Sequence, residues 1–567
     1  MLPKSFSQKE VDLRQIIPKI VLLALCLLTF GYFAAIGKIS LFDWDEFNFA
    51  VLAKEMVRSG EWYSPTVNYE LFHEKPPLFT WLQAISTQFF GPGPFAARFP
   101  NVLCGLATIF VLFHCGRRSH SARFGAWWAA FFALSLLPSL YFRSGIIDPW
   151  YNLFTFLALW PLCRAEMLRW PTVLLSGLAL GAAVLTKGPA AGLVAGLVLL
   201  GVGWRGRAAW LPRTGRFLVV GVLALVPIGL WLVYLWPEDG GFFAREFLTY
   251  QWRLFSKQDA GHGGFPGYHA VILLLGAFPA SVYALPALLG FRRFATARDS
   301  GQRWLFWTVL VLFSVVSTKI VHYSSLCYFP LTFFAARSLV RGRSEGSKGL
   351  DPQGPWGTTK VHRYVQPLTL AVFALYALAS TLLPAAGRNL ALVLPHVTDA
   401  ELLSRLALPV AWPWYTYLPA LSLCATLALL FRLRRHADPR RFAAAALLGT
   451  ALFTHLALWS FTGRLQTYSQ GAATEFFAHL PEGELSVGTA YYKSYAHWYY
   501  AGRPPDALDA GCRDRQCRFH GPNPLDLYFA SPLRKRDQVL REVPDAELLY
   551  ERGGFAFYRR PSPTPPE

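Results

Sequence analysis

The sequence predicts an α-helical polytopic membrane protein with about 13 transmembrane helices and a small C-terminal α/β domain. Of its 567 residues, 53% are hydrophobic and only 16% are charged, whereas soluble domains carry about a quarter charged residues. The charges cluster between apolar blocks of about 20 residues, which is the length that a helix needs to cross a bilayer. Many aromatic residues flank these blocks, as they do at membrane interfaces.

Thirteen apolar blocks are predicted to span the membrane. They centre on residues 17–36, 96–115, 124–142, 147–163, 172–186, 190–204, 217–236, 268–290, 304–317, 323–340, 363–384, 412–431 and 442–462. The first block is too long for a signal-peptide core and is expected to be a retained span. A further block, Pro77–Phe90, is short and is expected to form an interfacial helix.

The distribution of Arg and Lys predicts the orientation. With the N-terminus inside, the basic loops between later spans all face the cytoplasm, as the positive-inside rule requires. If Pro77–Phe90 crossed the membrane, every one of these loops would face outward. The chain is therefore divided into a transmembrane domain over residues 1–463, whose first outer loop is 37–95 with juxtamembrane helices, and an outer α/β domain over 464–567.

The net charge of +20 does not indicate a nucleic-acid partner, because the basic residues sit in short loops between spans and no nucleic-acid motif is present. Cys512 and Cys517 lie in the polar tail, where a disulfide is one interpretation and metal ligation is a weaker one.

The first outer loop carries the most informative polar residues. Asp45 and Glu46 follow the first span and precede a segment with helical apolar spacing, which would hold carboxylates at membrane level. Taken alone, such acids are more often solvated or cap a helix. Glu74 and Lys75 precede two prolines that fix the backbone. A Lys there can bind phosphate and a Glu can ligate a metal, whereas the simpler alternative is a surface ion pair.

Further polar residues fall at the predicted outer ends of spans. They are Asp148, Lys187, His262, Lys319, His322 and Tyr323. Ionisable groups near spans are costly and are candidates for function, although each alone could cap a helix or extend to the headgroups. Because all of them lie on one side, the sequence favours a site for a lipid substrate with a phosphate head.

These motifs resemble those of the ArnT-like and protein-mannosyltransferase-like GT-C glycosyltransferases. Asp45-Glu46, EKPP at 74–77, LxKGP at 185–189 and KxxxY at 319–323 occur in the order seen in that family. ArnT-like enzymes move 4-amino-4-deoxy-L-arabinose from undecaprenyl phosphate to lipid A. The resemblance implies a GT-C fold, a bacterial inner-membrane location and an active site facing the periplasm.

The resemblance also implies roles for individual residues. Asp45 and Asp148 match catalytic carboxylates, and Glu74 with His262 matches a divalent-metal site, with zinc the expected ion. The expected substrate contacts are Glu46, Lys75, Lys187, Lys319 and Tyr323. One position departs from the family, since an Arg is often found where this chain has Asn48.

The expected activity is transfer of a monosaccharide from a polyprenyl phosphate to lipid A or another envelope acceptor, with inversion at the anomeric carbon. The leaving phosphate would be stabilised by lysines. Asp45 would act as a base for a hydroxyl acceptor, or stabilise positive charge if the acceptor is a phosphate. Two alternatives stay open: a protein O-mannosyltransferase acting on Ser or Thr, and a flippase for a lipid-linked sugar. A flippase should show inverted repeats, and none is evident in the sequence.

Overall fold

Helices dominate the computed structural model. It describes residues 20–25, 27, 36–43, 45–163, 168–205, 214–256, 263–289, 297–340, 358–435, 438–481, 485–501, 515–521 and 523–562. Within them, six helices are long and apolar enough to cross a membrane. Every predicted span after the first coincides with one of these, with a shorter apolar helix or with two helices joined by a turn. The predicted first span, 17–36, lies largely outside the described residues and stays a prediction. The predicted polytopic helical fold is confirmed.

The helices run in chain order from the first outer loop into the membrane domain. The first outer loop holds α1 (Asp45–Ser59) and α2 (Leu78–Phe90). The transmembrane part continues with α3 (Pro94–Ser119), α4 (Ala122–Leu134), α5 (Leu136–Tyr141), α6 (Asp148–Leu162), α7 (Trp170–Lys187), α8 (Ala190–Arg205), α9 (Thr214–Asp239), α10 (Phe242–Ser256), α11 (Tyr268–Gly276), α12 (Ala280–Leu289), α13 (Ala297–Val315), α14 (Tyr328–Leu339), α15 (Thr358–Arg388), α16 (Leu390–Val393), α17 (Ala400–Leu406), α18 (Leu418–Leu433) and α19 (Pro439–Gln466).

The first outer loop is anchored by a buried ion pair between Glu46 in α1 and Arg98 in α3. Arg98 Nε and Nη2 donate to the two carboxylate oxygens of Glu46 at 2.8 and 2.6 Å. The same carboxylate accepts the backbone N–H groups of Gly145, at 2.5 Å, and Phe42, at 2.9 Å. Burial alone would raise the pKa of Glu46, but Arg98 and these donors hold it below its usual value. This pair fixes α1 against the membrane helices.

Glu55 organises the segment that leads to Glu74. Its carboxylate accepts the N–H groups of Asn68 at 2.7 Å and Tyr69 at 3.0 Å, and the hydroxyl of Thr66 at 2.9 Å. Asn68 and Tyr69 both have positive φ, which a two-residue hairpin turn requires. The turn joins the two short antiparallel strands β1 (Thr66–Val67) and β2 (Glu70–Leu71).

The C-terminal part contains a four-stranded mixed sheet. Its strands are β3 (Ser486–Thr489), β4 (Leu527–Pro532), β5 (Glu547–Arg552) and β6 (Phe555–Arg560), in the order β3-β4-β6-β5. β3 and β4 are parallel and the other pairs are antiparallel. The accompanying helices are α20 (Ala472–Ala478), α21 (Ala496–Ala501), α22 (Arg515–His520) and α23 (Arg536–Glu542). The sheet and its helices confirm the predicted α/β character of this part.

The transmembrane and C-terminal parts are closely joined. The last span continues through a π-helical turn, Thr467–Gly471, into α20, so that one helix runs across the boundary predicted after residue 463. α21 packs on α1, and Phe47 contacts Tyr499 with ring centroids 5.4 Å apart. Lys54 in α1 donates to the carbonyl of Tyr499. The C-terminal domain therefore shares a hydrophobic core with the first outer loop.

We expect Glu46→Gln to destabilise the protein strongly, because it leaves the buried Arg98 without its charged partner. Breaking a buried ion pair from one side costs about 3–5 kcal/mol. The thermal unfolding midpoint of the detergent-solubilised protein measures this loss. Glu70→Gln, which changes an exposed carboxylate of the same loop, serves as the control. Equal midpoints for the two variants would contradict an anchoring role for Glu46.

Candidate functional site

One cavity of about 270 Å³ gathers charged side chains from separate parts of the chain. Those in its lining are Asp45, Glu74, Lys75, Asp148, Lys187, His322 and Lys493. The cavity lies where the first outer loop meets the ends of α6, α7 and α13 and the segment before α21. Six of the nine site residues predicted from the sequence line it, since Tyr323 joins Asp45, Glu74, Lys75, Asp148 and Lys187.

The helix termini account for the placement of three charges. Asp45 and Asp148 occupy the first turns of α1 and α6, and Lys187 occupies the last turn of α7. The helix dipole favours anions at the N-terminus and cations at the C-terminus, so each charge sits at the end that stabilises it. Lys187 Nζ donates to Asp148 Oδ1 at 2.6 Å, and Asp148 is almost fully buried. The predicted residues Asp148 and Lys187 thus form one ion pair in the cavity wall.

His322 links the two predicted catalytic carboxylates. Its Nε2 lies 3.5 Å from Asp45 Oδ2 and 3.8 Å from Asp148 Oδ2. The Asp45 side chain remains 42% exposed, whereas that of Asp148 is 2% exposed. Of the two carboxylates, Asp45 is therefore the one that a substrate can reach, and Asp148 positions Lys187 and His322.

Glu74 and Lys75 lie side by side in the cavity wall. Lys75 Nζ lies 4.7 Å from the centre of the Tyr250 ring and donates to the carbonyl of Glu74 at 3.3 Å. Burial lowers the pKa of Lys75, and the neighbouring Glu74 carboxylate opposes this effect. Glu74 Oε1 accepts from Lys493 Nζ at 3.1 Å. The contact with Tyr250 and the nearby Glu74 carboxylate both favour the charged ammonium, which is the form that binds a phosphate.

Tyr323 also lines the cavity, as the sequence predicted. The ammonium of Lys187 lies 5.2 Å from the centre of its ring, within the range of a cation–π contact. Tyr323 therefore helps to fix the lysine whose other partner is Asp148.

Two predicted substrate contacts have other partners in the structure. Glu46 is directed away from the cavity into its ion pair with Arg98, and both of its oxygens are occupied. Lys319 donates to the carbonyls of Ser314, at 2.7 Å, and Val316 at the end of α13. It satisfies carbonyl groups that a helix end leaves unpaired, and its side chain is buried. The structure thus corrects both predictions, because these side chains support the site and do not line it.

The structure does not supply the expected metal site from the described residues. Glu74 lines the cavity, but its predicted partner His262 lies outside the described residues. Among the residues that are described, no group of three His, Cys, Asp or Glu side chains is placed to hold an ion. One oxygen of Glu74 is already paired with Lys493. The zinc site stays a prediction. Cys512 also lies outside the described residues, so its disulfide with Cys517 likewise stays a prediction.

Several cavity residues have no role predicted from the sequence. Lys493 and Tyr495 come from the C-terminal domain, and Tyr250 comes from α10. His322 is among the polar residues that the sequence places at the outer ends of spans, within the KxxxY motif at 319–323, but the sequence assigns it no role. Nothing in the local sequence around Lys493 indicates a site.

A second, apolar cavity of about 950 Å³ adjoins the charged one. It is lined by α7, α8 and α9, and its lining contains no charged side chain among the described residues. Pro189 and Leu193 belong to the walls of both cavities. A cavity with charged side chains therefore lies next to one with apolar walls.

Comparison with known proteins confirms the resemblance found in the sequence. A family model described as dolichyl-phosphate-mannose-protein mannosyltransferase matches residues 74–234. An undecaprenyl phosphate-alpha-4-amino-4-deoxy-L-arabinose arabinosyl transferase of Pseudomonas fluorescens is 28% identical over 346 residues, which cover 58% of this chain and 61% of the relative. Its counterpart in Erwinia tasmaniensis is 29% identical over 327 residues, which cover 55% and 58%. The matched region spans about three fifths of the length of these curated relatives.

Two crystal structures of ArnT from Cupriavidus metallidurans share the fold along nearly the whole chain. The structure bound to undecaprenyl phosphate superposes with a TM-score of 0.70 at 18% identity, covering 97% of this chain and 99% of the other. The apo structure gives a TM-score of 0.71 at 19% identity, covering 96% and 99%. At this level of identity the likeness establishes the GT-C fold.

We expect the stability of the protein to fall between about pH 4 and pH 6 because of Asp43. Its Oδ1 accepts the N–H of Tyr495 in the C-terminal domain, and burial raises its pKa from 3.8 to about 6. A raised carboxyl pKa favours folding while the group is protonated, and this contribution disappears as the pH rises through the folded pKa. The loss is on the order of 1–3 kcal/mol. Glu55, whose pKa burial raises to about 7, acts in the same direction.

Unfolding midpoints measured from pH 4 to pH 7 test this expectation. The unfolding midpoint of Asp43→Asn should decline less steeply with pH than that of wild type. The midpoint of Asp537→Asn, at a largely exposed position, should follow that of wild type. Parallel curves for wild type and Asp43→Asn would show that Asp43 ionises as readily in the folded state as in the unfolded chain.

Proposed function

We propose that this chain, which is similar to the ArnT-like transferases in sequence and has the GT-C fold, is a polyprenyl-phosphate-sugar-dependent glycosyltransferase. It would transfer a monosaccharide, such as 4-amino-4-deoxy-L-arabinose or a hexose, from undecaprenyl phosphate to lipid A or another envelope acceptor. The observation that carries the proposal is the charged cavity with Asp45, Lys75 and Lys187, which has an apolar cavity beside it that shares the wall residues Pro189 and Leu193. The enzyme would act in the bacterial inner membrane with this site facing the periplasm.

The donor would bind with its prenyl chain along α7, α8 and α9 and its phosphate near the lysines. Burying an apolar chain in the large cavity supplies binding free energy in proportion to the area removed from water. Lys75 is the cation best placed for the phosphate, because it is not committed to a carboxylate oxygen at close range as Lys187 is to Asp148. Its contact with Tyr250 holds the ammonium in place.

Transfer would proceed by one displacement at the anomeric carbon. An acceptor oxygen forms a bond to this carbon while the bond to the phosphate oxygen breaks, and undecaprenyl phosphate leaves with the electron pair. Lys75 and Lys187 would stabilise the charge that develops on the leaving phosphate. A hydroxyl acceptor would pass its proton to Asp45, which His322 orients at 3.5 Å. If the acceptor is an ionised phosphate of lipid A, Asp45 would instead stabilise positive charge on the sugar.

A protein O-mannosyltransferase-like activity is the second candidate. The family model that matches residues 74–234 is described by that activity, with protein as the acceptor. The same displacement would apply, with the hydroxyl of Ser or Thr as nucleophile. A flippase for the lipid-linked sugar is the alternative of another class. The three are separated by where the labelled sugar is found.

We expect Asp45→Asn to lower the transfer rate by about 10²–10⁴-fold, as loss of a general base or a charge stabiliser does. Lys75→Gln should lower it by about 10²–10³-fold, because one cation at the leaving phosphate is lost. Purified protein in detergent is supplied with radiolabelled undecaprenyl-phosphate sugars and an envelope lipid extract. Lys38→Gln, an exposed lysine of the same loop, should behave as wild type.

The destination of the label distinguishes the candidates. Label in lipid A supports the proposal, and label in protein alone supports O-glycosylation. Movement of the donor across proteoliposome membranes without transfer supports the flippase. Full transfer by Asp45→Asn would show that the site is elsewhere.

A divalent metal ion, with zinc the expected one, is a separate part of the proposal, and no step above depends on it. Glu74 and His262 would hold the ion, and Lys493 would then have to release Glu74. We expect about one zinc per chain in wild type by elemental analysis, and a loss of this zinc in both Glu74→Gln and His262→Ala. A fully active wild-type protein without bound metal would contradict this part.

A further inference from the structure

We propose that Lys493, which belongs to the C-terminal domain, binds the phosphate of the polyprenyl substrate, so that this domain supplies part of the active site. The inference rests on the proposed function and assigns a residue that the transmembrane helices do not provide. Lys493 lines the charged cavity, and its Nζ lies 3.1 Å from Glu74 Oε1.

The main chain around Lys493 is firmly attached to the first outer loop. Asp43 accepts hydrogen bonds from the hydroxyl of Ser494 and the N–H of Tyr495. Immediately afterwards, α21 packs against α1, which begins with Asp45. The position of Lys493 relative to Asp45 is therefore set by contacts on its C-terminal side.

The side chain of Lys493 contacts Glu74 and the Tyr495 ring at a half-exposed position. It is 47% exposed, whereas that of Lys187 is 15% exposed and is held by Asp148. A lysine has four rotatable side-chain bonds, so its ammonium can move several ångströms from a fixed Cα. The main chain of Lys493 is thus fixed, and its ammonium can change position by rotation about the side-chain bonds.

The charges in the cavity explain why such a lysine is needed. Among the described lining residues, three lysines face three carboxylates, so their formal charges cancel while the cavity is empty. A sugar phosphodiester adds one negative charge, and the phosphate monoester that leaves carries about −1.5 to −2. Asp148 already engages Lys187, while Glu74 has both Lys75 and Lys493 beside it. Lys493 can therefore leave Glu74 for the phosphate, while the charge of the adjacent Lys75 still acts on the Glu74 carboxylate without a direct hydrogen bond to it.

Lys493→Gln should weaken binding of undecaprenyl phosphate about tenfold. This is the lower end of the cost of losing a hydrogen bond to a charged group, because the side chain is half exposed. Binding to the full-length protein in detergent micelles is measured by titration with undecaprenyl phosphate and no acceptor. Lys493→Arg, which keeps the charge, should stay within about threefold of wild type.

Two further variants separate phosphate binding from other roles. Lys535→Gln changes another lysine of the same domain, one that pairs with Gln538 outside the cavity, and should bind as wild type does. The double variant Glu74→Gln/Lys493→Gln removes the ion pair as a unit. If Lys493 contacts the phosphate, the double variant also binds undecaprenyl phosphate weakly. The unfolding midpoint of each variant is measured alongside, and Lys493→Arg keeps the test valid if Lys493→Gln is unstable.

Three outcomes would overturn the inference. Wild-type affinity in a folded Lys493→Gln would mean that Lys493 only attaches the domain to the outer loop. Restored affinity for undecaprenyl phosphate in the double variant would mean that Lys493 only neutralises Glu74. In the transfer assay, an increase confined to the KM for the acceptor, with unchanged affinity for undecaprenyl phosphate, would place the contact on the other substrate. A wild-type protein that transfers no sugar would instead overturn the proposed function, so the two failures are distinguishable.

Discussion

The buried ion pair between Glu46 and Arg98 is the interaction on which the rest of the site depends. It joins the first outer loop to the start of a membrane helix, and two additional backbone donors complete the coordination of the carboxylate. Successive side chains on a helix point about 100° apart, so fixing Glu46 inward leaves Asp45 free to face the cavity. Asp45 faces the cavity because its neighbour has a buried partner.

The buried charges of this site are tolerated because each has a compensating group. Asp148 has Lys187 and the N-terminal dipole of its own helix, and His322 lies between Asp148 and Asp45. Such an arrangement is preorganised, since the groups that meet a developing charge are already oriented before the substrate arrives. The apolar cavity beside it would accommodate the prenyl chain of the proposed donor.

The C-terminal domain supplies a further part of the cavity wall. It shares a hydrophobic core with the first outer loop and brings Lys493 and Tyr495 to the cavity wall. A single helix connects it to the last span, which limits how far it can move as a separate body. The domain is therefore part of the site.

The sequence by itself determined the apolar helices after the first span, most of them within a few residues of their bounds, and the cavity residues Asp45, Glu74, Lys75, Asp148, Lys187 and Tyr323. Hydropathy and charge are local properties, and motifs at the ends of apolar blocks can be read without knowing how the blocks pack. Only the tertiary structure decided that Glu46 and Lys319 turn away from the cavity and that Lys493 enters it. The direction of a side chain depends on partners distant in the chain: Glu46 meets Arg98 52 residues away, and Lys493 meets Glu74 419 residues away. No local pattern encodes such pairs, because they form only when packing brings the segments together.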